Sequence, residues 1–291
     1  MAERSNIAAA GGEAAATERA SNNGRDTTRG PSPPRVGFWA RFVYLTDVTL
    51  HLARRDFAHQ HRGSVLGWLW GLAPPLLQLL VTYFVFTKVI PLDVDDSPVF
   101  LLTGILAWTW FARSLSLGAV SLEQGRELVH RPGFPTVVLP VKTTLTGLLD
   151  YLLALPVLLV ALAATSKLGA TALFLPILVG LQMLLLIGLA WIVAPLQVFF
   201  RDVQHIVIVV ITLGFWLTPI FYEQSMAPER FDVIYKLNPM AYLIGWQRDI
   251  LLNGSLPSAG SVLALLAVVL GIAGVGYAVF RTLRDRVPEE L

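Results

Sequence analysis

The sequence predicts an all-α integral membrane protein with six transmembrane helices, an N-terminal amphipathic interface helix and re-entrant gate helices on the outer side. Three observations support this fold class. First, 55% of the 291 residues are hydrophobic and only 14% are charged, whereas soluble domains contain about 25% charged residues. Second, the apolar residues form long blocks, as in membrane-spanning chains. Third, Lys and Arg are concentrated in alternate loops between these blocks, which is the pattern that orients membrane proteins.

The chain is predicted to contain three segments. Residues 1–34 are rich in Ala, Gly, Ser, Asn and Arg, and this composition predicts a disordered cytoplasmic tail. Residues 35–62 predict an amphipathic interface helix, because apolar side chains recur at helical spacing opposite charged ones. A surface helix of a soluble domain would show the same pattern, but here an apolar block follows almost at once. Residues 63–291 form the predicted six-span domain.

Six apolar blocks have about the 20 residues that a helix needs to cross the bilayer core. They are 65–89, 99–120, 141–164, 172–198, 206–222 and 262–280. Several contain proline, which spans tolerate where neighbouring helices or polar groups satisfy the backbone carbonyl that proline leaves without a partner. We therefore expect these helices to pack against one another.

Residues 223–258 are predicted to form an outer gate hairpin. They include a semi-apolar stretch, 239–252, that is too short for a span and contains Arg248. If this stretch crossed the bilayer, the arginines near the C-terminus would lie on the outer side, against the tendency of basic residues to lie inside. We therefore expect two short helices, near 227–235 and 239–252, which dip back from the outer face where protein or water covers their backbone.

The positions of Lys and Arg predict the orientation. With both termini in the cytoplasm, the inside segments are 1–64, 121–142, 199–205 and 281–291, and they hold 16 of the 22 basic residues. This asymmetry follows the positive-inside rule. We therefore predict a multi-pass protein of the plasma (inner) membrane with both termini cytoplasmic.

Three stretches of the sequence resemble a known family. They are RRDFAHQHRGSVLGWLWGLAPPL (54–76), GRELVHRPGFPTVVLPV (125–141) and FFRDVQHIVIVVITLGFWLTPIFY (199–222), the last followed by LNPMAYLIGWQRDILL (237–252). In this order and spacing they resemble the transmembrane subunits of ABC-type polysaccharide export permeases, over about residues 38–280. The second stretch departs from the family, because relatives commonly have Asn and paired lysines where this chain has Arg126, Glu127, His130 and Arg131.

The resemblance implies a function and a set of partners. Its members export lipid-linked O-antigen, teichoic acid, capsule or galactan, and two permeases pair with two copies of a separate ABC ATPase. We therefore expect a homodimer that moves a lipid-(pyrophosphate)-linked polysaccharide from the cytoplasmic to the outer side of the membrane. This chain has no G-x-x-x-x-G-K-[ST] phosphate loop. We thus expect it not to be an enzyme and to hold no cofactor or metal, with ATP and Mg on the partner ATPase, and no nucleic acid as a partner.

Three other functions remain open on the sequence. An ABC export permease for drugs or simple lipids would have the same topology. A polyprenyl-phosphate glycosyltransferase would act without an ATPase and needs an acidic catalytic cluster, for which Asp93, Asp95 and Asp96 are isolated candidates in a predicted outside loop. A secondary transporter would usually show an internal repeat, which is not evident here.

The loop 121–140 is the predicted contact with the ATPase. Apolar side chains would pack into a cleft of the partner, while charged ones would set the orientation. These ATPase-coupling residues are Leu122, Glu123, Arg126, Glu127, Leu128 and Arg131.

Charged residues near or within the spans give two further predictions. Arg113 and Asp150 lie at matching depths of the second and third spans, and ionisable groups inside a membrane usually pair. We predict an ion pair, with a contact to the substrate pyrophosphate as the alternative. Arg54, Arg55 and Arg62 are expected to attract anionic lipid or the incoming pyrophosphate at the cytoplasmic leaflet.

Aromatic residues and one helix cap complete the candidate sites. Sugar rings stack on aromatic planes, so an aromatic-lined channel is predicted from Trp108, Phe111, Phe215, Trp216, Phe221 and Tyr222. The alternative is an ordinary interfacial belt. Asn238 and Pro239 suit the start of the second gate helix, because Asn is a favoured cap and Pro a favoured first-turn residue.

Overall fold

The computed structural model describes residues 38–61, 69–89, 97–167, 169–223 and 232–291. All regular structure within these ranges is helical. Residues 45–291 belong to one compact unit. The predicted tail, Arg62 and the first part of the predicted gate hairpin lie outside the described residues.

The helices follow the order of the predicted segments. In chain order they are α1 (Phe38–His61), α2 (Leu69–Phe84, continued by a π-helical turn Val85–Val89), α3 (Ser97–Ala119), α4 (Ser121–Gln124), α5 (Arg126–Val129), α6 (Val138–Ala164), a 3-10 turn Ala170–Phe174, α7 (Leu175–Phe199), α8 (Val203–Leu217), α9 (Asp232–Leu237), α10 (Pro239–Leu251), α11 (Ala259–Leu283) and α12 (Val287–Glu290).

Four of the described helices are long and apolar enough to cross a membrane: α3, α6, α7 with its preceding 3-10 turn, and α11. The other two predicted blocks contain the shorter apolar helices α2 and α8. Helix α8, with 15 residues, is only about 22 Å long at about 1.5 Å per residue, against a hydrocarbon core of about 30 Å. Helix α2 has 16 residues before its π-helical turn. The count of six spans therefore stays a prediction for these two helices.

Helix α3 lies at the centre of the bundle. It packs against α2, α6, α7, α8 and α10, and its side chains are buried on every face, as at Leu101, Ile105, Ala107 and Trp110. A helix that is apolar all round is buried in this way. Any side chain that α3 turns toward a neighbouring helix is therefore held by a rigid core element.

Helices α7 and α11 approach each other closely because both carry glycine at the contact. A Cβ atom on Gly188 would lie 2.8 Å from the Cα of Ala273, and one on Gly276 would clash with the carbonyl oxygen of Gly188. Small residues allow membrane helices to pack backbone against backbone. This pair of helices forms a tightly packed side of the bundle.

The two ends of the bundle are held differently. At one end, here called the loop end, Leu122, Val129, Leu139, Val198 and Phe280 form an apolar cluster that joins the α3–α6 connection to α7 and α11. The sequence predicts that this end is cytoplasmic.

The other end, here called the hairpin end, contains α10 and the chain that follows α8. Thr171 donates a hydrogen bond to the carbonyl of Ile250 (2.6 Å), which ties α10 to the 3-10 turn before α7. Helix α8 ends at Leu217 because Pro219 follows, and proline disfavours a helical conformation in the preceding residue. Thr218 is accordingly extended, with φ −88° and ψ 138°.

Candidate functional site

Five of the six predicted channel aromatics form one continuous ring cluster between α3, the second half of α8 and the chain that follows it. Trp108 lies 4.9 Å from Phe111 and 6.2 Å from Phe215, measured between ring centroids. Phe215 in turn lies 5.6 Å from Trp216 and 4.8 Å from Phe221. These distances are those of favourable aromatic pairs. Trp108, Phe111 and Phe221 are buried within the cluster and Trp216 is exposed, so a channel lined by all of these rings stays a prediction.

Tyr222 lies at the edge of this cluster. Its ring meets that of Tyr235 at a centroid distance of 6.4 Å, and the two hydroxyl oxygens are 2.9 Å apart. Tyr222 therefore connects the chain after α8 to α9.

An open cavity of about 300 Å³ lies beside the aromatic cluster, between α2, α3 and α8. Its lining combines aromatic rings with small polar side chains: Gln78, Trp108, Thr109, Ala112, Ile211, Thr212, Phe215 and Trp216. Gly214 shapes one wall, because a Cβ atom there would lie 2.9 Å from the Cη2 atom of Trp108. The cavity thus offers both apolar planes and hydrogen-bonding groups.

Helix α8 presents a largely exposed apolar surface beside the cavity. Val207 is its one buried residue, whereas Ile206, Val209, Leu213 and Trp216 are between 55% and 62% exposed. In a membrane such a face lies against lipid or against another protein surface. Contacts at the two ends of α8 must therefore fix much of its position.

The structure brings Arg113 and Asp150 together across α3 and α6. The Nε atom of Arg113 lies 3.1 Å from Oδ2 of Asp150, and the side chains are 36% and 12% exposed. Each charge thus has an opposite charge beside it at a depth where an isolated charge would be costly. The partial exposure of Arg113 leaves its second predicted role, a contact to pyrophosphate, as a prediction.

The predicted coupling loop is largely built into the core at the loop end. Leu122 is fully buried, and Leu128 is half-buried against the same apolar cluster. Residues of α7 and α11 surround Leu122, so this side chain fixes the loop on the bundle. Packing of the loop's apolar side chains into a cleft of the partner stays a prediction.

The charged residues of the loop lie outside that cluster. Arg126, Glu127 and Arg131 are exposed, whereas Glu123 is half-buried and its Oε1 atom accepts a hydrogen bond from the side-chain amide of Gln197 (3.2 Å). The Oε1 atom of Gln197 also accepts from the backbone N–H of Gln204 (2.7 Å). This chain of contacts connects the loop to the start of α8. Docking of the loop on an ATPase stays a prediction.

Helix α1 is tied to the start of α6 by an ion pair. The Nζ atom of Lys142 lies 2.5 Å from Oδ2 of Asp56. Arg54 and Arg55, on the preceding turn of α1, are both exposed. They are therefore available to an anion, whereas Arg62 lies outside the described residues.

The predicted cap at Asn238 is present. Its Oδ1 atom accepts a hydrogen bond from the backbone N–H of Met240 (3.0 Å), and Pro239 occupies the first turn of α10. The Nδ2 atom of Asn238 also donates to Oγ1 of Thr218 (2.8 Å). Helix α10 spans Pro239–Leu251, close to the predicted 239–252, while the preceding helix α9 starts at Asp232 and residues 224–231 are not described.

Arg248 is a site residue that the sequence analysis missed. It is 6% exposed and donates hydrogen bonds to the carbonyls of Pro219 and Ile220, both at 2.6 Å. The sequence alone shows it only as a charge unsuited to a transmembrane span. The available signal was its place in a semi-apolar helix near a proline-broken one, where backbone carbonyls lack helical partners.

Burial lowers the pKa of the Arg248 guanidinium to about 9, and the nearby carboxylates of Glu223 and Asp249 oppose that effect. The group therefore remains protonated at neutral pH and keeps its donors. Gly104 on α3 makes room for it, because a Cβ atom there would lie 2.8 Å from Nη2 of Arg248.

Comparisons with known proteins place this helical membrane protein among the transporters. The ABC-2 type transporter family matches residues 48–252. The chain is 32% identical over 247 residues to the O-antigen export system permease protein RfbA of Myxococcus xanthus, covering 84% of this chain and 95% of that protein. It is also 32% identical over 251 residues to the O-antigen export system permease protein RfbA of Klebsiella pneumoniae, covering 85% and 96%.

The chain therefore belongs to the ABC-2 type transporter family. This confirms the resemblance indicated by the three sequence stretches, and it makes the protein membrane-integral.

Proposed function

We propose that this chain is the transmembrane subunit of an ATP-driven exporter. Its substrate is a lipid-(pyrophosphate)-linked polysaccharide, such as an O-antigen or a galactan, which moves from the cytoplasmic to the outer side of the plasma membrane. The observation that carries this proposal is the cavity lined by aromatic rings and small polar groups. The names of the two relatives, both O-antigen export permeases, support it.

The cavity suits a sugar better than a purely apolar molecule. A sugar ring has C–H faces that pack on aromatic planes and hydroxyl groups that require hydrogen-bond partners. Trp108, Phe215 and Trp216 supply the planes. Thr109 and Thr212 each donate to a carbonyl of their own helix, so their oxygens keep acceptor capacity. The lining thus holds a glycan through many weak contacts and lets it slide.

ATP hydrolysis takes place on a separate ATPase, two copies of which bind the loop end. The exposed charges at Arg126, Glu127 and Arg131 orient the ATPase, and the buried Leu122 holds the loop rigid so that force reaches α7 and α11. Gln197 connects the same loop to the start of α8. Movement of the ATPase is thereby passed to the helix that lines the cavity.

Two copies of the chain form the transporter and face each other across α2 and α8. The exposed apolar side chains of α8 flank the cavity on this side, so a second copy would close the open side into a path between the protomers. The pyrophosphate approaches from the cytoplasmic leaflet near the exposed Arg54 and Arg55 of α1.

Thr212→Val tests the cavity directly, because it removes one hydroxyl and conserves the shape of the side chain. We expect export to fall about fivefold in cells that lack the native chain, since one neutral hydrogen bond contributes about 1 kcal/mol. The measurement is the amount of glycan on the cell surface at equal expression of each variant.

Thr282→Val is the matched control. Thr282 lies on α11 and donates to the carbonyl of Ala278 (2.9 Å), as Thr212 does to Ile208 (2.8 Å), but it does not line the cavity. Equal export by the two variants would refute the role of the cavity. Export of a drug or a simple lipid, with no glycan substrate, would favour the other ABC permease function.

A further inference from the structure

Arg248 joins three elements at the hairpin end. Its Nη1 and Nη2 atoms donate to the carbonyls of Pro219 and Ile220, each at 2.6 Å. Nε and Nη2 also lie 3.3 Å from the carbonyl of Phe100, and the guanidinium sits 3.4 Å above the ring of Phe100. The side chain thus connects α10 to α3 and to the end of α8.

The same segment after α8 has a second tie to α10. Asn238 donates to Oγ1 of Thr218, and Asn238 caps the start of α10 while Arg248 lies near its end. Two ties at opposite ends of one helix fix the direction of the segment as well as its position.

Helix α10 is itself fastened to the bundle. Ile250 accepts from Thr171, and Gln247 donates to Oε1 of the fully buried Gln182 (3.3 Å), which donates in turn to the carbonyl of Ala107 (2.8 Å). These contacts reach the 3-10 turn, α7 and α3. Helix α10 is therefore held in place on the bundle along its length. We call it the fixed brace.

Helix α8 has the opposite character between its ends. Val207 is its one buried residue, and Ile211 and Phe215 are only partly buried against the core, so its middle is packed less tightly than the helices at the centre of the bundle. Separation at its hairpin end would take the Arg248 donors away from the carbonyls of Pro219 and Ile220 and would leave Nη1 of Arg248 without its acceptor, which is costly away from water. Movement of α8 is therefore much cheaper if this end stays in place.

We propose that Arg248 is a positioning residue that pins the hairpin end of α8 to the fixed brace α10, so that Thr218–Ile220 is the pivot about which α8 moves during transport. This inference rests on the proposed export function. It changes the expected role of α10: the helix holds the pivot and does not swing away as a gate.

A reversible lock tests the pivot while Arg248 stays in place. The chain has no cysteine, so Thr218→Cys with Asn238→Cys gives one defined pair at positions whose side chains now share a hydrogen bond. We expect the oxidised pair to export within twofold of its reduced form, because the two positions do not separate. The single-cysteine variants are the controls. A loss of export on oxidation that is reversed by reductant would overturn the proposal.

Arg248→Gln tests the residue itself. With the pivot loosened, we expect the complex with the ATPase to hydrolyse ATP within twofold of wild type but to export at least tenfold less glycan per ATP. A purely structural role would instead lower both rates together, in proportion to the amount of folded protein.

Arg281→Gln is the matched control for Arg248→Gln, because it makes the same change of side chain at an exposed position of α11 and leaves the pivot contacts intact. We expect it to keep the wild-type export per ATP. Unchanged export per ATP in Arg248→Gln would overturn the proposal, and so would a proportional loss of both rates. If Arg248→Gln does not accumulate, the lock experiment decides alone. Wild-type protein that exports no glycan would refute the proposed function instead.

Discussion

Buried and half-buried charged side chains in this protein have partners that stabilise them. The sequence predicts some of these partners and not others. Arg113 and Asp150 could be paired from their depth in neighbouring spans, and the two side chains do lie 3.1 Å apart. Arg248 could not be assigned, because its partners are carbonyls at Pro219 and Ile220 that are exposed only once α8 breaks. The burial of Leu122 likewise depends on α7 and α11, which come much later in the chain.

The Arg113–Asp150 pair should show strong coupling in a double-mutant cycle. Arg113→Ala or Asp150→Ala alone leaves one charge in the bilayer, and we expect each to cost about 2–3 kcal/mol of stability. The double variant should lose less than the sum of the two. The measurement is thermal unfolding of the purified chain in lipid nanodiscs.

The exposed pair Arg284–Asp285 serves as the control, since its side chains are 48% and 80% exposed and exposed pairs contribute little. Additive effects at Arg113 and Asp150, like those expected for the control, would show that the two charges do not stabilise each other.

At the scale of elements, the coupling loop has a buried part and an exposed part with different expected phenotypes. The triple variant Arg126→Ala/Glu127→Ala/Arg131→Ala should keep the stability of the chain and weaken its binding to the ATPase, because these side chains are exposed. Leu122→Ala should instead cost about 2–5 kcal/mol of stability, as other buried Leu to Ala changes do. Co-purification with the ATPase and thermal unfolding, measured on both variants, separate the two effects. Full ATPase binding by the triple variant would contradict the assignment of the loop.

The close contact of α7 with α11 predicts that the same substitution has different effects on stability at two nearby glycines of α11. Gly276→Ala should destabilise the chain by about 1–3 kcal/mol, because the added methyl group meets the backbone of Gly188. Gly274→Ala, on the same helix, has no atom within 4 Å of the added Cβ and should be neutral or slightly stabilising. Equal thermal stability of the two variants would show that the helices do not touch at Gly276.

The helical elements themselves were largely predictable, because a bilayer requires long apolar helices and the sequence contains six apolar blocks. The residues at which these helices end were harder to predict. The block 206–222 suggested one span, but Pro219 ends α8 at Leu217, and the polar ties that compensate for this break come from Asn238 and Arg248. Such long-range ties between polar groups have no periodic signal in the sequence.

At the scale of the whole molecule, helix α8 connects the loop end to the hairpin end. The loop contacts the start of α8 through Gln197, the middle of α8 lines the cavity, and Arg248 pins its far end. The sequence predicts the direction of this connection, from the cytoplasm outward, by the distribution of Lys and Arg. It could not predict the cavity, whose walls come from three helices.

The central claim, that this chain exports a lipid-linked glycan when driven by a separate ATPase, is tested most directly in proteoliposomes. The measurement is the fraction of fluorescent lipid-linked glycan that reaches the far leaflet, with the chain alone, with its ATPase, and with an ATPase variant that binds but does not hydrolyse ATP. We predict transfer only when the active ATPase and ATP are both present. Equal transfer by the chain alone would contradict an ATP-driven permease and favour a secondary transporter.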